Sequence, residues 1–271
     1  MYPELFRVGP FTVYTYGVLL AASYLLGLRL AMSRAKARGL DSNRVLDLGI
    51  YIIIAALVGA KLLLLVVDFD QFRSVGDLFS LVRAGGVFYG GLLLSVGVAF
   101  WYMNRHRMPF WTTCDVFAPA IALGHVTGRL GCMAAGCCYG KPTDVPWAVI
   151  FTNPLAAANV GTPLNIPLHP TQLYEAGAEL LILAVLLATE RRWRPFAGRT
   201  FWAYMLLYAI SRYIIEIYRG DPRGVVPFLD VSTSQFISLI LVPLSLAMLV
   251  WLRRSTPETP QELRGKRKAA A

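Results

Sequence analysis

Seven long apolar stretches dominate this chain and limit what it can fold into. Each is about as long as the roughly 17 to 25 residues that a helix needs to cross a membrane. Hydrophobic residues make up 56% of the 271 residues and charged residues only 15%, which is too apolar for an ordinary soluble domain. We therefore predict an all-α, polytopic membrane protein with seven transmembrane helices. The predicted spans lie at about 11–32, 45–67, 84–103, 113–133, 173–189, 200–218 and 233–252.

The net charge of +10 predicts a membrane topology rather than nucleic-acid binding. The basic residues form short clusters between the apolar stretches, with no basic face and no nucleic-acid-binding motif. The segments 33–44, 104–112, 190–199 and 253–271 carry sixteen Lys and Arg residues, whereas the N-terminus and the alternate connections carry six. Because loops rich in Lys and Arg stay in the cytoplasm, we predict that the N-terminus is outside and the C-terminus is cytoplasmic.

The domain organisation is predicted to be simple. Residues 1–252 are expected to form a single seven-helix transmembrane domain, since no internal repeat of the transporter kind divides the sequence. The longest connection, at about 134–172, is rich in proline and lies on the predicted outer side, so we expect an external loop or lid. The basic tail at 253–271 is expected to be cytoplasmic and disordered.

Polar and ionisable residues gather near the outer ends of the predicted helices. An ionisable side chain at membrane depth costs about 2.5–3.5 kcal/mol on insertion scales, so each one is a candidate for function. Side chains that merely reach for the membrane surface would favour both ends of the helices equally. Six of the seven predicted helices contribute to this outer layer, which contains Tyr16, Lys61, Tyr89, Arg129, Glu175, Arg212 and Glu216.

Two arginines in this layer indicate an anion. Tyr208, Arg212 and Glu216 follow one another at a spacing of four residues, which places them along one helix face. Arg212 and Glu216 can neutralise each other, whereas Arg129 has no acidic residue three or four positions away. A planar guanidinium can hold two oxygens of a phosphate, so we expect Arg129 to face a lipid phosphate.

Glycines accompany the polar residues. Gly90 and Gly91 directly follow Tyr89, and further glycines surround Arg129. Glycine in a membrane helix permits close packing against a neighbouring helix, and it also permits close approach of the backbone to a ligand. Both interpretations are open for this pair.

Three cysteines lie close together in the sequence near the predicted outer face, where disulfides persist. We interpret Cys132, Cys137 and Cys138 as small packing residues or as a local disulfide. A zinc site is less favoured, because their spacing is not a usual ligand pattern and no fourth ligand stands out. Cys114 is predicted near the inner face and cannot easily join them.

At these residues the sequence resembles the prolipoprotein diacylglyceryl transferases of bacteria. The stretch GRLGCMAAGCCYG, from Gly128 to Gly140, is similar to that family's signature, which reads Gly-Arg-x-Gly-Asn-Phe-x-Asn-x-Glu and ends in glycine. The matches run in order over nearly the whole chain, and as a set they are specific. The others are Tyr16-Gly17, the Gly90–Gly91 pair after Tyr89, the stretch from His169 to Glu175, and Tyr208 with Arg212, Glu216 and Arg219.

The resemblance implies a multi-pass enzyme of the bacterial cytoplasmic (inner) membrane. It would transfer the diacylglyceryl group of phosphatidylglycerol to the lipobox cysteine thiol of a preprolipoprotein, which forms a thioether and releases glycerol phosphate. The implied partners are phosphatidylglycerol, lipobox peptides and membrane lipids, with no nucleic acid. Nothing in this chemistry calls for a metal or a nucleotide cofactor.

The resemblance also suggests roles for individual residues. Arg129 and Arg212 would bind the lipid head group and take part in catalysis. The other implied catalytic residues are Tyr89, Tyr208 and Glu216, and the other implied substrate-binding residues are Tyr16, His169, Glu175, Gly90 and Gly91.

Several positions depart from the family pattern. Tyr89 stands where the family has a histidine assigned as essential, and a tyrosine of pKa ~10 is a poor base. Cys132, Ala135 and Cys137 replace two asparagines and the glutamate of the signature. The base that deprotonates the thiol is therefore open among Tyr89, His125, His169 and Glu175.

Two other functions compete with the transferase. The first is a relative that kept a phospholipid cavity but lost or changed the transferase activity, which the replacement of the histidine by Tyr89 supports. The second is a transporter, which would usually show repeats and broken helices that involve both halves of the membrane. The polar residues here lie on one side, so we favour the transferase.

Overall fold

The computed structural model describes residues 2–9, 11–69, 86–192, 196–222, 224–227 and 229–255. The tail predicted to be disordered lies outside the described residues from position 256 onward. Within the described residues there are eight helices: α1 (Thr15–Ala37), α2 (Ser42–Val67), α3 (Phe88–Arg105), α4 (Phe110–Ala135), α5 (Pro154–Val160), α6 (Thr171–Arg192), α7 (Arg199–Glu216) and α8 (Thr233–Ser255).

A long helix covers most of each of the seven apolar stretches, although the first stretch begins with β2 at 11–14 and the start of the third, at 84–85, lies outside the described residues. Helix α5 is a short additional helix in the connection between α4 and α6. Five helices, α1, α2, α4, α6 and α8, have the length and the apolar composition needed to cross a membrane. A helix suits this environment because it satisfies every backbone N–H and C=O within one segment, where no water is available to do so. The prediction of a mostly helical membrane protein is confirmed.

Three short antiparallel strand pairs accompany the helices in the described residues, one before α1 and two in connections between helices. The strands are β1 (Glu4–Val8), β2 (Phe11–Tyr14), β3 (Val149–Ile150), β4 (Pro167–Leu168), β5 (Val225–Val226) and β6 (Val231–Ser232). β1 pairs with β2, β3 with β4, and β5 with β6. The pair β3–β4 lies in the connection between α4 and α6, where Tyr139, Phe151 and Leu168 form a small buried apolar cluster.

The chain forms two compact units. The first comprises Met1–Leu30 and Cys114–Ala271, and the second comprises Ala31–Thr113. The single domain over 1–252 stays a prediction.

In the second unit, α2 and α3 pack closely through glycines. A Cβ atom added to Gly91 would lie 2.6 Å from the carbonyl oxygen of Ala56, and one added to Gly59 would lie 2.7 Å from Cβ of Leu94. Gly90 likewise faces the backbone of Gly59. Small residues let two helix backbones approach each other in this way, so the packing interpretation accounts for the Gly90–Gly91 pair.

In the first unit, α4, α6 and α7 share an apolar core. Its buried residues are small on α4 and larger on the other two helices, and the partly buried Leu30 of α1 packs against them. Helix α7 also packs against α8. The core residues are Ala118 and Ala122 of α4, Ile182, Leu183 and Leu186 of α6, and Tyr204 of α7.

A buried carboxylate of α4 caps the start of α7. Asp115 accepts hydrogen bonds from the backbone N–H of Gly198 (2.9 Å) and from that of Phe201 (2.8 Å). The first N–H groups of a helix have no partner within the helix, and the positive end of the helix dipole favours an anion there. This contact holds α7 at a defined position on α4, and no pattern in the sequence indicates it.

We predict that Gly59→Ala destabilises the α2–α3 pair. The new methyl group would overlap atoms of α3, and such overpacking typically costs about 1–3 kcal/mol. Thermal unfolding in detergent, followed by intrinsic fluorescence, should show a lower midpoint. Gly97→Ala is the matched control, because nothing lies within 4 Å of its added Cβ. Equal midpoints for the two variants would contradict the close packing.

Candidate active site

Glu175, near the start of α6, lies at the centre of a buried ionic cluster. Its carboxylate contacts the guanidinium groups of Arg129 of α4, Arg212 of α7 (2.5 Å) and Arg219 just beyond α7 (3.3 Å). Only 5% of the surface of Glu175 is exposed, so the three ion pairs form largely out of water. We call these four residues the Glu175 cluster. One carboxylate of α6 thus joins α4, α7 and the segment just beyond α7 in the first unit.

Arg129 has an acidic partner, although none lies three or four positions away in the sequence. Its partner is Glu175 on a different helix, which a search three or four residues along α4 could not find. The predicted pair within α7 is confirmed, because Arg212 lies 2.6 Å from Glu216. The cations are therefore balanced by carboxylates, and Arg129 shares its carboxylate with two other arginines.

Arg219 is held by a second carboxylate as well. Its Nε and Nη2 atoms donate to the two oxygens of Asp221, each at 2.9 Å. Burial opposes the charged form, but the hydrogen bonds to Asp221 and the charge of Glu175 together raise the pKa of Arg219 above its ordinary value. Arg219 therefore stays a cation.

A small, partly open cavity adjoins the Glu175 cluster. Three ring or hydroxyl groups and four charged groups supply its polar lining. The lining residues are His125, Arg129, Glu175, Ala178, Glu179, Tyr208, Ser211, Arg212 and Ile215. The two guanidinium groups of this lining, those of Arg129 and Arg212, suit an anionic ligand.

Glu179 is a site residue that the sequence analysis missed. It is 4% exposed, and its Oε1 lies 2.7 Å from Nδ1 of His125, which also lies 3.1 Å from the hydroxyl of Tyr204. Glu179 is an acidic residue inside an apolar stretch, four positions after Glu175, so the rule of charge at membrane depth could have found it.

The other predicted site residues have different surroundings. Tyr208 lines the cavity, and Tyr16 lies beside the signature stretch, with its Cδ2 3.3 Å from the position of a Cβ on Gly131. His169 belongs to an aromatic group, in which its Nδ1 lies 3.1 Å from the hydroxyl of Tyr174 and its ring contacts Tyr218. Tyr89, Gly90 and Gly91 lie in the second unit, in the first turn of α3.

The three cysteines of the signature stretch form a tight cluster. The Sγ atoms of Cys132, Cys137 and Cys138 all lie within 4.8 Å of one another, and all three are free thiols. Nη1 of Arg129 lies 3.5 Å from Sγ of Cys138. Hydrogen bonds from the other two thiols lower the pKa of Cys138, and the charge of Arg219 adds to this effect. We call these three residues the cysteine cluster.

The turn that carries two of these cysteines is held rigidly. Gly136 and Cys138 have positive φ angles of 84° and 62°, a conformation that residues other than glycine rarely adopt. Buried side chains donate hydrogen bonds to three consecutive carbonyl oxygens: Thr162 to Gly136 (2.9 Å), Gln172 to Cys137 (2.7 Å) and Thr171 to Cys138 (2.7 Å).

We predict that Glu175→Gln strongly destabilises the first unit. Neutralising the shared carboxylate leaves buried guanidinium groups without their common counter-charge, and breaking a buried ion pair typically costs about 3–5 kcal/mol. Thermal unfolding in detergent should show a much lower midpoint. Glu4→Gln is the control, since its pair with Arg7 is exposed and such pairs contribute about 0–1 kcal/mol. An unchanged midpoint for Glu175→Gln would contradict the central role of Glu175.

Comparison with known proteins agrees with these features. Residues 3–251 match the family model described as prolipoprotein diacylglyceryl transferase. The chain is 36% identical to a protein of Clostridium tetani, over 89% of this chain and 94% of the relative, and 32% identical to one of Acaryochloris marina, over 96% and 94%. A Stenotrophomonas maltophilia protein is 30% identical over 97% of both chains. All three are named phosphatidylglycerol–prolipoprotein diacylglyceryl transferase.

The motif resemblance seen in the sequence is thus matched by similarity along almost the entire chain, and the protein belongs to the prolipoprotein diacylglyceryl transferase family.

Proposed function

We propose that this protein transfers the diacylglyceryl group of phosphatidylglycerol to the lipobox cysteine thiol of preprolipoproteins, the first step of bacterial lipoprotein maturation. Its family and the names of its relatives support this activity. The observation that carries the proposal at residue level is the group of arginines around Glu175, two of which line a small cavity.

The arginines suit the chemistry of the leaving group. As the bond between carbon and phosphate oxygen breaks, negative charge grows on glycerol phosphate, and fixed cations in a site with little water stabilise that charge. Arg129 and Arg212 line the cavity, and both share Glu175 as a partner. We assign them to the phosphate, with Glu175 and Glu216 holding the guanidinium groups in place.

The polar lining of the cavity suits the head group rather than the acyl chains. In this proposal the glycerol phosphate part of the lipid binds at the cavity, while the acyl chains stay in the surrounding hydrocarbon. Its polar lining includes His125, Tyr208 and Ser211, which can hydrogen-bond to glycerol hydroxyl groups. We assign substrate binding at the head group to these residues.

The acceptor of the thiol proton stays a prediction among the four candidates. His125 and Glu175 line the cavity, but Glu179 already engages the former and three guanidinium groups engage the latter. His169 bonds to Tyr174 in the aromatic group, and Tyr89 lies in the second unit. Removal of the thiol proton is nevertheless required, since a thiolate is the nucleophile and a free cysteine has a pKa of ~8.5.

Transferase activity can be tested by complementation. The protein is expressed in a strain depleted of its own diacylglyceryl transferase, and conversion of a lipoprotein precursor is followed by its shift in electrophoretic mobility. We expect conversion by the unchanged protein. No conversion at normal membrane levels would reject the transferase and favour the relative that keeps only a phospholipid cavity.

We predict that Arg129→Ala lowers the conversion rate by about 100-fold or more, the usual loss when one stabilising donor is removed from developing charge. Arg129→Lys should recover part of the rate, because lysine restores the charge but cannot hydrogen-bond to two phosphate oxygens in the bidentate geometry of arginine. Arg7→Ala, which removes an exposed arginine, is the control and should convert precursor normally. A normal rate for Arg129→Ala would remove the phosphate role of Arg129.

We also propose seven membrane spans, with the N-terminus outside, the C-terminus cytoplasmic and the site at the outer leaflet of the bacterial inner membrane. The seven long helices and the distribution of Lys and Arg support this topology. A C-terminal green fluorescent protein fusion should fluoresce, and a C-terminal alkaline phosphatase fusion should be inactive. Active phosphatase at that end would contradict the topology.

A further inference from the structure

The cysteine cluster has the geometry of a set of metal ligands. Its three Sγ atoms lie within 4.8 Å of one another. Three thiolates bound to one tetrahedral ion at about 2.3 Å stand about 3.8 Å apart, so the observed cluster needs only small side-chain adjustments to reach that arrangement.

The backbone around the cluster forms a strained turn that hydrogen bonds hold in place. Cys138 has a positive φ of 62°, which costs an ordinary residue roughly 1–2 kcal/mol. Hydrogen bonds from the fully buried Thr171 and Gln172 hold the carbonyl groups of Cys138 and Cys137 in this turn. Thiols that merely fill space would not require a strained turn. Strain that the surroundings hold in place is typical of ligand and active sites.

The number of thiols argues against a stable disulfide. A bridge between any two of the three would leave the third thiol beside it, and a neighbouring thiolate attacks a disulfide and exchanges with it. A group of three thiols is, in contrast, a complete set of protein ligands for a metal site that keeps one position open.

The local charge also suits a metal–thiolate complex. Three thiolates and one divalent ion carry a net charge of −1, which a neighbouring guanidinium can stabilise by hydrogen bonding to sulfur. Nη1 of Arg129 lies 3.5 Å from Sγ of Cys138, and Arg219 is the other cation close to that sulfur.

We propose that Cys132, Cys137 and Cys138 bind a thiophilic divalent metal ion of the Zn²⁺ class and leave a fourth coordination position for the lipobox thiol. In the part of the chain that the structure describes, the cluster comprises these three ligands, which is the number found in catalytic zinc sites. The sequence spacing is unusual for zinc because one ligand comes from the last turn of α4 and two come from the turn beyond it. The three ligands nevertheless meet in space.

The role in catalysis rests on the proposed transferase function. The thiol displaces a metal-bound hydroxide, which takes the thiol proton and leaves as water. The metal-bound thiolate sulfur then forms a bond to the glyceryl carbon, while the carbon–oxygen bond breaks and its electron pair goes to the phosphate oxygen. The neutral thioether leaves the metal, and a water molecule takes its place and gives up a proton to solvent.

Arg129 connects the two halves of this reaction. Its Nη1 atom contacts Cys138, while its Nε atom contacts Glu175 at the cavity. The nucleophile and the leaving phosphate would therefore lie on either side of one guanidinium, which is the close placement that speeds a displacement. A metal-activated thiolate also removes the need for a histidine at the position of Tyr89.

Metal content is the first test. Full-length protein is purified in detergent under reducing conditions without chelator, and its metals are measured by mass spectrometry. We expect about one zinc ion per chain, and Co²⁺ substitution should give thiolate-to-cobalt charge-transfer bands with tetrahedral visible bands. Unchanged protein without metal after reconstitution with Zn²⁺ overturns the proposal, and a thiol titration would then show whether a disulfide is present.

Single Ser substitutions identify the ligands. Cys132→Ser, Cys137→Ser and Cys138→Ser should each weaken zinc binding by at least about tenfold, while Cys114→Ser, outside the cluster, should bind zinc as the unchanged protein does. Retention of zinc affinity by all three cluster variants would overturn the ligand assignment.

X-ray absorption of the unchanged zinc protein tests the open position without any variant. A lipobox peptide should raise the number of sulfur ligands from three to four, and the same peptide with serine in place of the cysteine should not. A constant sulfur count would overturn the role in thiol binding. Metal binding with this change in sulfur ligands, but without precursor conversion, would reject the transferase function while the metal site stands.

Discussion

The buried carboxylate of Glu175 is the contact on which the first unit depends. Moving one carboxylate and three guanidinium groups out of water is expensive, and the cost is offset only when the charges meet in good geometry. Helices α4, α6 and α7 must therefore pack at one set of positions. The apolar core around Ala118 and Leu186 supplies the packing energy, and Asp115 caps the start of α7. The same contacts place Arg129 and Arg212 at the cavity.

Two departures from the family pattern, Tyr89 and the clustered cysteines, have one explanation if the cysteines bind a metal as proposed. The motif resemblance places Tyr89 at a family histidine that could take a proton, and it places thiols where the family signature has asparagine and glutamate. A metal-bound thiolate needs no side-chain base, so the second change would compensate for the first. Arg129 lies between the thiols and the cavity, which links the activation of the nucleophile to the binding of the leaving group.

Most of the helical fold could be predicted, because a membrane leaves the backbone few alternatives to a helix. The span predicted at 173–189 corresponds to Thr171–Arg192, and that at 45–67 corresponds to Ser42–Val67. The connection after α4 was harder, since its short strands and α5 have too little periodicity to be read from sequence. Charge at membrane depth indicates Arg129 and Glu175, and Glu179 carries the same signal.

By itself, the sequence determined the class of the protein, the positions of its long helices, its family and the residue types of its site. Only the tertiary structure decided which of these residues meet. Arg129 and Glu175 are far apart in the chain, and three thiols with no usual ligand spacing converge within 4.8 Å. Sequence spacing describes neighbours on one helix, whereas contacts between helices depend on how the apolar faces pack and where the connecting turns place their side chains.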